Sequence, residues 1–261
     1  MTVRDAGSAG GSASGNLMNQ EKSMNLVIVT GGSRGLGKAL VDLYQVFEWS
    51  TLEFSRSGTG LHHIPVDLAE LDASLGVLEQ QFQTLSKTAW KRVVFINNAG
   101  LLRPIAPVHV LADAQIEQNL AVNLVSGIRV VSAFVRSFWA SESQIMIANV
   151  SSGAAQKGYA GWSLYCAAKA GMENYIRALA AEQSASARPM RCINIEPGVI
   201  DTEMQAEIRN AGSENFPEVA RFIELKKSGQ LRSPKAVARA IMRIIDSSPD
   251  NGGRYRIADH A

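Results

Sequence analysis

Short apolar runs alternate with longer helical patterns along the chain from Asn25 onward. The runs are rich in β-branched residues and apolar throughout, as expected for strands buried on both faces of a parallel sheet. Strands are predicted at Leu26–Thr30, Thr51–Ser55, His62–Val66, Arg92–Asn97, Gln144–Val150, Arg191–Glu196 and Tyr255–Ala258. Helices are predicted at residues 38–44, 70–87, 112–139, 165–183 and 234–247.

This alternation predicts an α/β fold with helices on both faces of a parallel sheet. The expected architecture is a single doubly wound sheet of about seven strands. Ligands bind such sheets outside the carboxyl ends of the strands. Thr30, Asn97, Ser151 and Pro197 each end or follow a predicted strand, so functional residues are expected at that edge.

Composition narrows the possible partners. The chain has 261 residues, 46% hydrophobic and 19% charged, which suits one large α/β domain. A formal net charge of +2 with dispersed Lys and Arg predicts no nucleic-acid partner. No apolar run approaches the ~18 residues of a spanning helix, so no membrane partner is predicted. Cys166 and Cys192 lack a metal-binding spacing, which predicts no metal and a reducing, cytoplasmic location.

Residues 1–23 differ from the rest of the chain. Gly, Ser and Ala dominate up to Asn16, and no apolar secretory segment is present. We expect a flexible N-terminal tail or an expression remnant, with Met24 a plausible natural start and residues 24–261 forming the folded domain.

The first strand leads into a glycine-rich turn. Gly31, Gly35 and Gly37 have the spacing Gly-x-x-x-Gly-x-Gly directly before a predicted helix. A turn without Cβ atoms lets a diphosphate approach the backbone amides and the positive end of the helix dipole. Such turns also arise for steric reasons alone. The predicted cofactor contacts here are Gly31, Ser33, Arg34, Gly35, Leu36 and Gly37.

The end of the second strand bears on the choice of dinucleotide. NAD sites usually place an acidic residue there, on the ribose hydroxyls. This strand ends instead at Ser55 and Arg56. Arg56 could hold a 2′-phosphate in a fork geometry, with Arg34 adding charge, unless both are solvated surface arginines. NADP(H) is therefore favoured over NAD(H).

Asp67 and Leu68 follow the third predicted strand. We expect Asp67 to hydrogen-bond the adenine amino group and Leu68 to lie beside it. The alternative for Asp67 is a helix N-cap.

Tyr165 and Lys169 are four residues apart in a predicted helix, which places both side chains on one face. A nearby ammonium should lower the pKa of the phenol from its usual ~10 and make it a usable acid or base. The alternative is a solvated helix face. Ser152, thirteen residues before Tyr165, favours the functional interpretation.

Taken together, residues 24–261 resemble the short-chain dehydrogenase/reductases. The motifs that carry the resemblance are the glycine turn, Asn97-Asn98-Ala99-Gly100, Asn123, Ser152, Tyr165-x-x-x-Lys169 and Pro197-Gly198. Each motif alone is common, but their order and spacing together are specific.

The resemblance implies a Rossmann-type sheet with the strand order 3-2-1-4-5-6-7. It also implies a catalytic tetrad of Asn123, Ser152, Tyr165 and Lys169. Tyr165 would protonate the substrate carbonyl oxygen, and Ser152 would polarise it. Lys169 would hold the nicotinamide ribose, and Asn123 would hold a water that links Lys169 to solvent. The alternatives are a helix kink for Asn123 and strand-end turn chemistry for Ser152.

The resemblance also implies further cofactor contacts. Asn98, Ala99 and Gly100 would line the adenosine side. Along the nicotinamide, the contacts would be Pro197, Gly198, Ile200 and Thr202, although a Pro-Gly turn forms without any ligand.

Within the family, the likeness is strongest to the sepiapterin reductase and benzil reductase branch, on the segments around Ser152, Tyr165 and Pro197. This implies an NADPH-dependent carbonyl reductase of small dicarbonyl or aryl ketones. The alternatives are a pterin reductase and a non-catalytic NADP(H)-binding protein. Sepiapterin reductases hold the pterin with an acidic residue near the C-terminus, and Asp259 does not align with it.

Candidate substrate contacts are Trp162 and Met204, beside Ser152 and Tyr165. The less regular stretch between Thr202 and Pro234 could close over the substrate as a lid, or could simply add to the core. The helices near residues 112–139 and 164–183 are apolar on more than one face, and the family resemblance makes them a dimer interface. A homodimer or homotetramer is expected.

Overall fold

The computed structural model describes residues 24–259. Seven strands form one sheet in the order β3-β2-β1-β4-β5-β6-β7, and every pairing is parallel. The strands are β1 Asn25–Thr30, β2 Ser50–Ser55, β3 His63–Pro65, β4 Arg92–Asn97, β5 Gln144–Val150, β6 Arg191–Glu196 and β7 Arg254–Arg256. The predicted fold class and strand order are confirmed. The call on residues 1–23 lies outside the described residues.

Eight α-helices are present among residues 24–259. They are α1 Gly35–Val46, α2 Leu71–Ser86, α3 Asp113–Leu120, α4 Ser126–Phe138, α5 Ser163–Ser184, α6 Glu203–Arg209, α7 Val219–Lys227 and α8 Pro234–Asp246. A π-helical segment, Ala121–Val125, interrupts the single helix predicted over residues 112–139. The last strand ends at Arg256, because the chain then turns into a 3₁₀ helix at Ile257–Asp259.

The sheet is covered on both faces by apolar clusters. On one face, Phe82 of α2 and Phe134 of α4 pack against Phe95 of β4, with the Phe95 and Phe134 rings stacked 4.9 Å apart. On the other face, α1 and α8 cover the sheet through residues such as Leu40 and Ile241. A third cluster, around Trp162, lies beyond the strand ends. The first two clusters hold the sheet rigid, so the strand ends form a fixed edge.

The helical stretch Asp113–Phe138 is long and apolar enough to cross a membrane by length and composition. It contains no uninterrupted apolar run of that length, so the sequence prediction did not include it. Its inner side chains, including Val130 and Phe134, are buried in the core of the sheet. Core helices of α/β domains pass the same test, so this property is weak evidence for a membrane span.

Candidate active site

The ends of β1 and β4 are tied together by side chain to backbone hydrogen bonds. Asn98 Nδ2 donates to the carbonyl oxygens of Thr30 (3.0 Å) and Gly31 (3.2 Å). In return, Thr30 Oγ1 accepts the backbone N–H groups of Asn98 (3.0 Å) and Ala99 (3.1 Å). The predicted Asn-Asn-Ala-Gly motif therefore holds the glycine turn in place.

The glycines of this turn are required by close contacts. Gly31 has a φ of +70°, and a Cβ there would lie 3.0 Å from Ala99 Cα. A Cβ on Gly37 would lie 2.0 Å from the Gly31 carbonyl oxygen. The first turn of α1 can therefore sit directly under the loop. Its unpaired amides and positive dipole end then face outward, as a diphosphate requires.

A cleft of about 900 Å³ runs along the carboxyl edge of the sheet. Every residue predicted to contact the cofactor lines it: Gly31, Ser33, Arg34, Gly35, Leu36, Gly37, Ser55, Arg56, Asp67, Leu68, Asn98, Ala99, Gly100, Tyr165, Lys169, Pro197, Gly198, Ile200 and Thr202. The predicted substrate residues Ser152, Trp162 and Met204 line the same cleft. Its size and its glycine-walled end suit an extended dinucleotide with a small substrate.

The one carboxylate of β2, Glu53, does not reach the cleft. It is buried, and its Oε1 atom lies 2.5 Å from His63 Nδ1 and accepts the Ser55 hydroxyl at 3.2 Å. Arg56, at the tip of the strand, is exposed and has no hydrogen-bond or ion-pair partner among the described residues. Arg34 forms an exposed ion pair with Glu203, which is of little energetic weight.

Asp67 forms a local turn, in which Oδ1 accepts the backbone N–H of Ala69 at 2.9 Å. Helix α2 begins at Leu71 with Glu70 at the N-cap, so the N-cap alternative for Asp67 is wrong. The adenine contact stays a prediction.

Ser152, Tyr165 and Lys169 meet where β5 ends and α5 begins. Ser152 and Tyr165 line the same cleft, and Ser152 acts on the Tyr165 hydroxyl so as to lower its pKa. Lys169 Nζ donates to the Val150 carbonyl oxygen at 2.9 Å and lies 5.7 Å from the centre of the Tyr165 ring. Ser152 Oγ also accepts the Ala154 N–H at 3.2 Å, so its turn role and its contact with Tyr165 coexist.

Burial sets the protonation of this group. It raises the pKa of Tyr165 to about 12, against the opposing hydrogen bond from Ser152. It lowers the pKa of Lys169 to about 8, against the opposing charge of Glu173. The prediction that Lys169 lowers the Tyr165 pKa is therefore wrong for the protein's own groups, because loss of hydration disfavours both charged forms. The buried Tyr165 hydroxyl is therefore protonated at neutral pH.

Asn123 lies in the π-helical segment behind the cleft, not in its lining. Its amide exchanges two hydrogen bonds with the Leu101 backbone, at 2.7 Å and 2.6 Å. A Cβ on Gly100 would lie 3.4 Å from Asn123 Oδ1 and 3.7 Å from Lys169 Nζ, so these residues converge. Asn123 thus positions the loop after β4 beside Lys169, and its water-holding role stays a prediction. π-Helical turns are frequent at functional sites.

The substrate end of the cleft is aromatic. The Trp162 ring stacks on Phe216, with centroids 4.4 Å apart and planes 9° apart, and meets Phe222 edge-on at 5.5 Å. Trp162 therefore lines the cleft and also packs within the aromatic cluster. Helices α6 and α7 bring Met204 and Phe222 to this cluster, so the stretch predicted to be less regular is mostly helical. Whether it closes as a lid stays a prediction.

Several residues near the site were not identified from the sequence. Tyr159 and Arg221 also line the cleft, as does Phe222 of the stretch predicted to be a lid or part of the core. Glu173 lies one helical turn after Lys169 and is fully buried. Its spacing of four residues from Lys169 is the only sequence signal that could have identified it. Arg254, on β7, carried no sequence signal at all. Among residues 24–259, no group of three or more His, Cys, Asp or Glu side chains could hold a metal ion.

The fold and the cleft define a Rossmann-type nucleotide-binding protein. The family model for short chain dehydrogenases matches residues 25–212. Benzil reductase ((S)-benzoin forming) from Bacillus subtilis is 32% identical over 243 residues, which cover 90% of this chain and 99% of that protein. Sepiapterin reductase from Bos taurus is 27% identical over 254 residues, covering 88% and 92%.

The crystal structure of the YIR035C short chain dehydrogenase/reductase from Saccharomyces cerevisiae superposes with a TM-score of 0.77 at 25% identity, covering 90% of this chain and 99% of that one. The chain belongs to the short chain dehydrogenase family. It is an oxidoreductase of that family, and proteins of the family bind a nicotinamide cofactor. The glycine turn, the open amides of α1 and the cleft fit such a cofactor.

Gly37→Ala should weaken dinucleotide binding, because its Cβ would lie 2.0 Å from the Gly31 carbonyl oxygen and displace the loop. We expect a loss of about tenfold or more, or ~1.4 kcal/mol, by isothermal titration calorimetry. The matched control is Gly76→Ala, also in a helix, where a Cβ would meet nothing within 4 Å. Equal affinities of the two variants would contradict the assigned role of the turn.

Proposed function

We propose that the protein is an NADPH-dependent carbonyl reductase acting on a small dicarbonyl or aryl ketone. The observation that carries the proposal is that Tyr165, Ser152 and the glycine turn line one cleft, with Ser152 acting on the Tyr165 hydroxyl. A bound nicotinamide supplies the hydride. Tyr165 donates its hydroxyl proton to the substrate carbonyl oxygen, and Ser152 donates a hydrogen bond to the same oxygen.

Lys169 and Asn123 support this pair. Lys169 lines the same cleft, and its proposed role is to bind the nicotinamide ribose through its ammonium group. Asn123 holds the loop that carries Gly100, next to Lys169 Nζ. A protein that only binds NADP(H) has no need of a buried proton donor, so the intact set favours catalysis over the binding-protein alternative.

The aromatic substrate end supports an aryl or dicarbonyl substrate. Flat walls of Trp162 and Phe222 suit a planar ligand, and the similarity to benzil reductase points the same way. The pterin alternative needs a free carboxylate near the C-terminus. Asp259 does not line the cleft, and Glu196, which does, is paired with Arg254 and Arg256.

The choice of NADPH is supported at the tip of β2. Arg56 is unpaired and lines the cleft, whereas Glu53 is turned away and bonded to His63. The Glu53 carboxylate, which would repel a 2′-phosphate, therefore lies outside the cleft. The homodimer or homotetramer, the cytoplasmic location and the absence of nucleic-acid or membrane partners stay predictions.

Tyr165→Phe tests the proton donor. The variant should bind NADPH with unchanged affinity and lose about 10²–10⁴-fold in kcat for reduction of benzil, followed by NADPH absorbance. Tyr175→Phe is the matched control, since Tyr175 lies on the same helix but bonds Ser132 outside the cleft. Wild-type turnover by Tyr165→Phe would refute the mechanism. Diones, quinones, aryl ketones and sepiapterin, assayed in parallel, would identify the substrate class.

The pH dependence follows from Lys169, whose pKa is lowered to about 8 by burial. The ammonium is present below that pH, so kcat for reduction should be level on the acid side and fall above about pH 8. Tyr165, with its pKa raised to about 12, keeps its proton throughout this range. A profile of kcat between about pH 6 and about pH 10 measures this fall in activity, which is called the alkaline limb below. Lys169→Arg should remove the alkaline limb, because the guanidinium keeps its charge throughout this range. A rate that rises through this range would contradict the assignment.

Arg56→Ala should raise the KM for NADPH by about 10- to 100-fold, because a charge-assisted bond to the 2′-phosphate is lost. The KM for NADH should change little. Arg239→Ala, an exposed arginine on α8, is the control. If both cofactors respond equally to Arg56→Ala, or if the wild type prefers NADH, the NADPH assignment fails.

A further inference from the structure

A buried ion network lies directly behind the catalytic serine. Its centre is the carboxylate of Glu173, which is fully buried in α5. That carboxylate accepts the Ser151 hydroxyl at 2.6 Å, the Gln156 amide at 2.7 Å and Arg254 Nε at 2.9 Å. A buried carboxylate is tolerated only when it is paired and hydrogen-bonded in this way.

Arg254 connects this carboxylate to the active-site strands. Its Nη2 atom donates to Glu196 Oε2 at 2.5 Å and to the Ser152 carbonyl oxygen at 3.4 Å. One guanidinium therefore joins β7 to α5, to the end of β6 and to the second residue after β5. Only a planar group with several donors can make these contacts together, and an ammonium cannot reproduce them.

The contacts bear on the aim of the Ser152 hydroxyl. Ser151 is held through its hydroxyl by Glu173, and Ser152 is held through its carbonyl by Arg254. The backbone between these two points is extended, with φ −156° and ψ 159° at Ser152. With the backbone held from behind, the Ser152 side chain is directed to the cleft and to Tyr165.

We propose that Arg254 is a positioning residue, which holds the end of β5 so that the Ser152 hydroxyl stays aimed at the Tyr165 hydroxyl and the substrate carbonyl. This inference rests on the proposed reductase function and adds to it a residue on β7 that does not line the cleft.

Arg254 also acts on Lys169 through Glu173. Lys169 faces Tyr165 and Glu173 on its own helix, with the Val150 carbonyl and Asn123 beside it. Glu173 in turn faces Arg254 from β7 and Arg177 on α5, with Arg254 also facing Glu196 from β6. The Glu173 charge raises the pKa of Lys169 against burial. Removing the Arg254 charge should strengthen that effect, and removing the Glu173 charge should abolish it.

The experiment compares Arg254→Met and Arg254→Lys with the same two changes at Arg256. Arg256 is the matched control because it lies on the same strand and approaches the same Glu196 oxygen at 3.5 Å, but is half-exposed. We expect Arg254→Met to lose about 10- to 100-fold in kcat, with the KM for NADPH within about twofold of wild type. The alkaline limb should move to higher pH in Arg254→Met and to lower pH in Glu173→Gln.

Arg254→Lys separates geometry from charge. It keeps the positive charge, so its alkaline limb should stay near that of the wild type while kcat still falls. A folded Arg254→Lys or Arg254→Met enzyme with the kcat of the Arg256 variants would overturn the inference. So would shifts of the limb in the same direction in Arg254→Met and Glu173→Gln, as a purely structural role predicts.

Failure of the proposed function would be seen separately. If the wild type reduces no carbonyl compound with NADPH, the function falls but the positioning role remains testable by crystallography. The separation of the Ser152 and Tyr165 hydroxyls should then lengthen in Arg254→Lys and stay unchanged in Arg256→Lys. Equal separations in the two crystal structures would overturn the inference on their own.

Discussion

A ladder of buried amides across the sheet holds the register on which the site depends. Thr30 Oγ1 donates to Asn97, Asn97 donates to Asn149 at 3.0 Å, and Asn149 donates to Asn194 at 2.8 Å. Asn194 then donates to the Glu173 carbonyl oxygen at 3.2 Å. A slip of one residue in any strand would bury unpaired amides and turn its side chains to the other face. The ladder therefore fixes where each strand ends and where its functional residues begin.

Burial, more than any single charge, sets the chemistry at that edge. It keeps Tyr165 protonated and brings the pKa of Lys169 close to neutral, so both groups are drawn toward their uncharged forms. Against this background, the Glu173 carboxylate acts on Lys169 from within the protein. Its own charge is matched by Arg254. Lys169, Glu173 and Arg254 thus form a chain of charges that alternates in sign from α5 to β7.

The cleft has two ends with different physical characters. At the glycine turn, backbone amides and the exposed Arg56 present positive potential for a phosphorylated ligand. At the other end, Trp162 and its aromatic neighbours present flat apolar surface, against which α6 and α7 pack. Tyr165 lies between the two, in edge contact with Trp162 at 6.1 Å. The order of glycine turn, Tyr165 and apolar wall along one cleft is what the proposed carbonyl reductase function requires.

The amino-acid sequence by itself determined the alternation of strands and helices, the glycine turn and the cluster of Ser152, Tyr165 and Lys169. These depend on local periodicity and on short spacings that survive in any parallel α/β sheet. Only the tertiary structure decided the direction of the Tyr165 pKa shift, the withdrawal of Glu53 toward His63 and the contact of Arg254 with Glu173. Those outcomes depend on burial and on residues far apart in the chain, because hydration is lost and distant charges meet only when the elements pack.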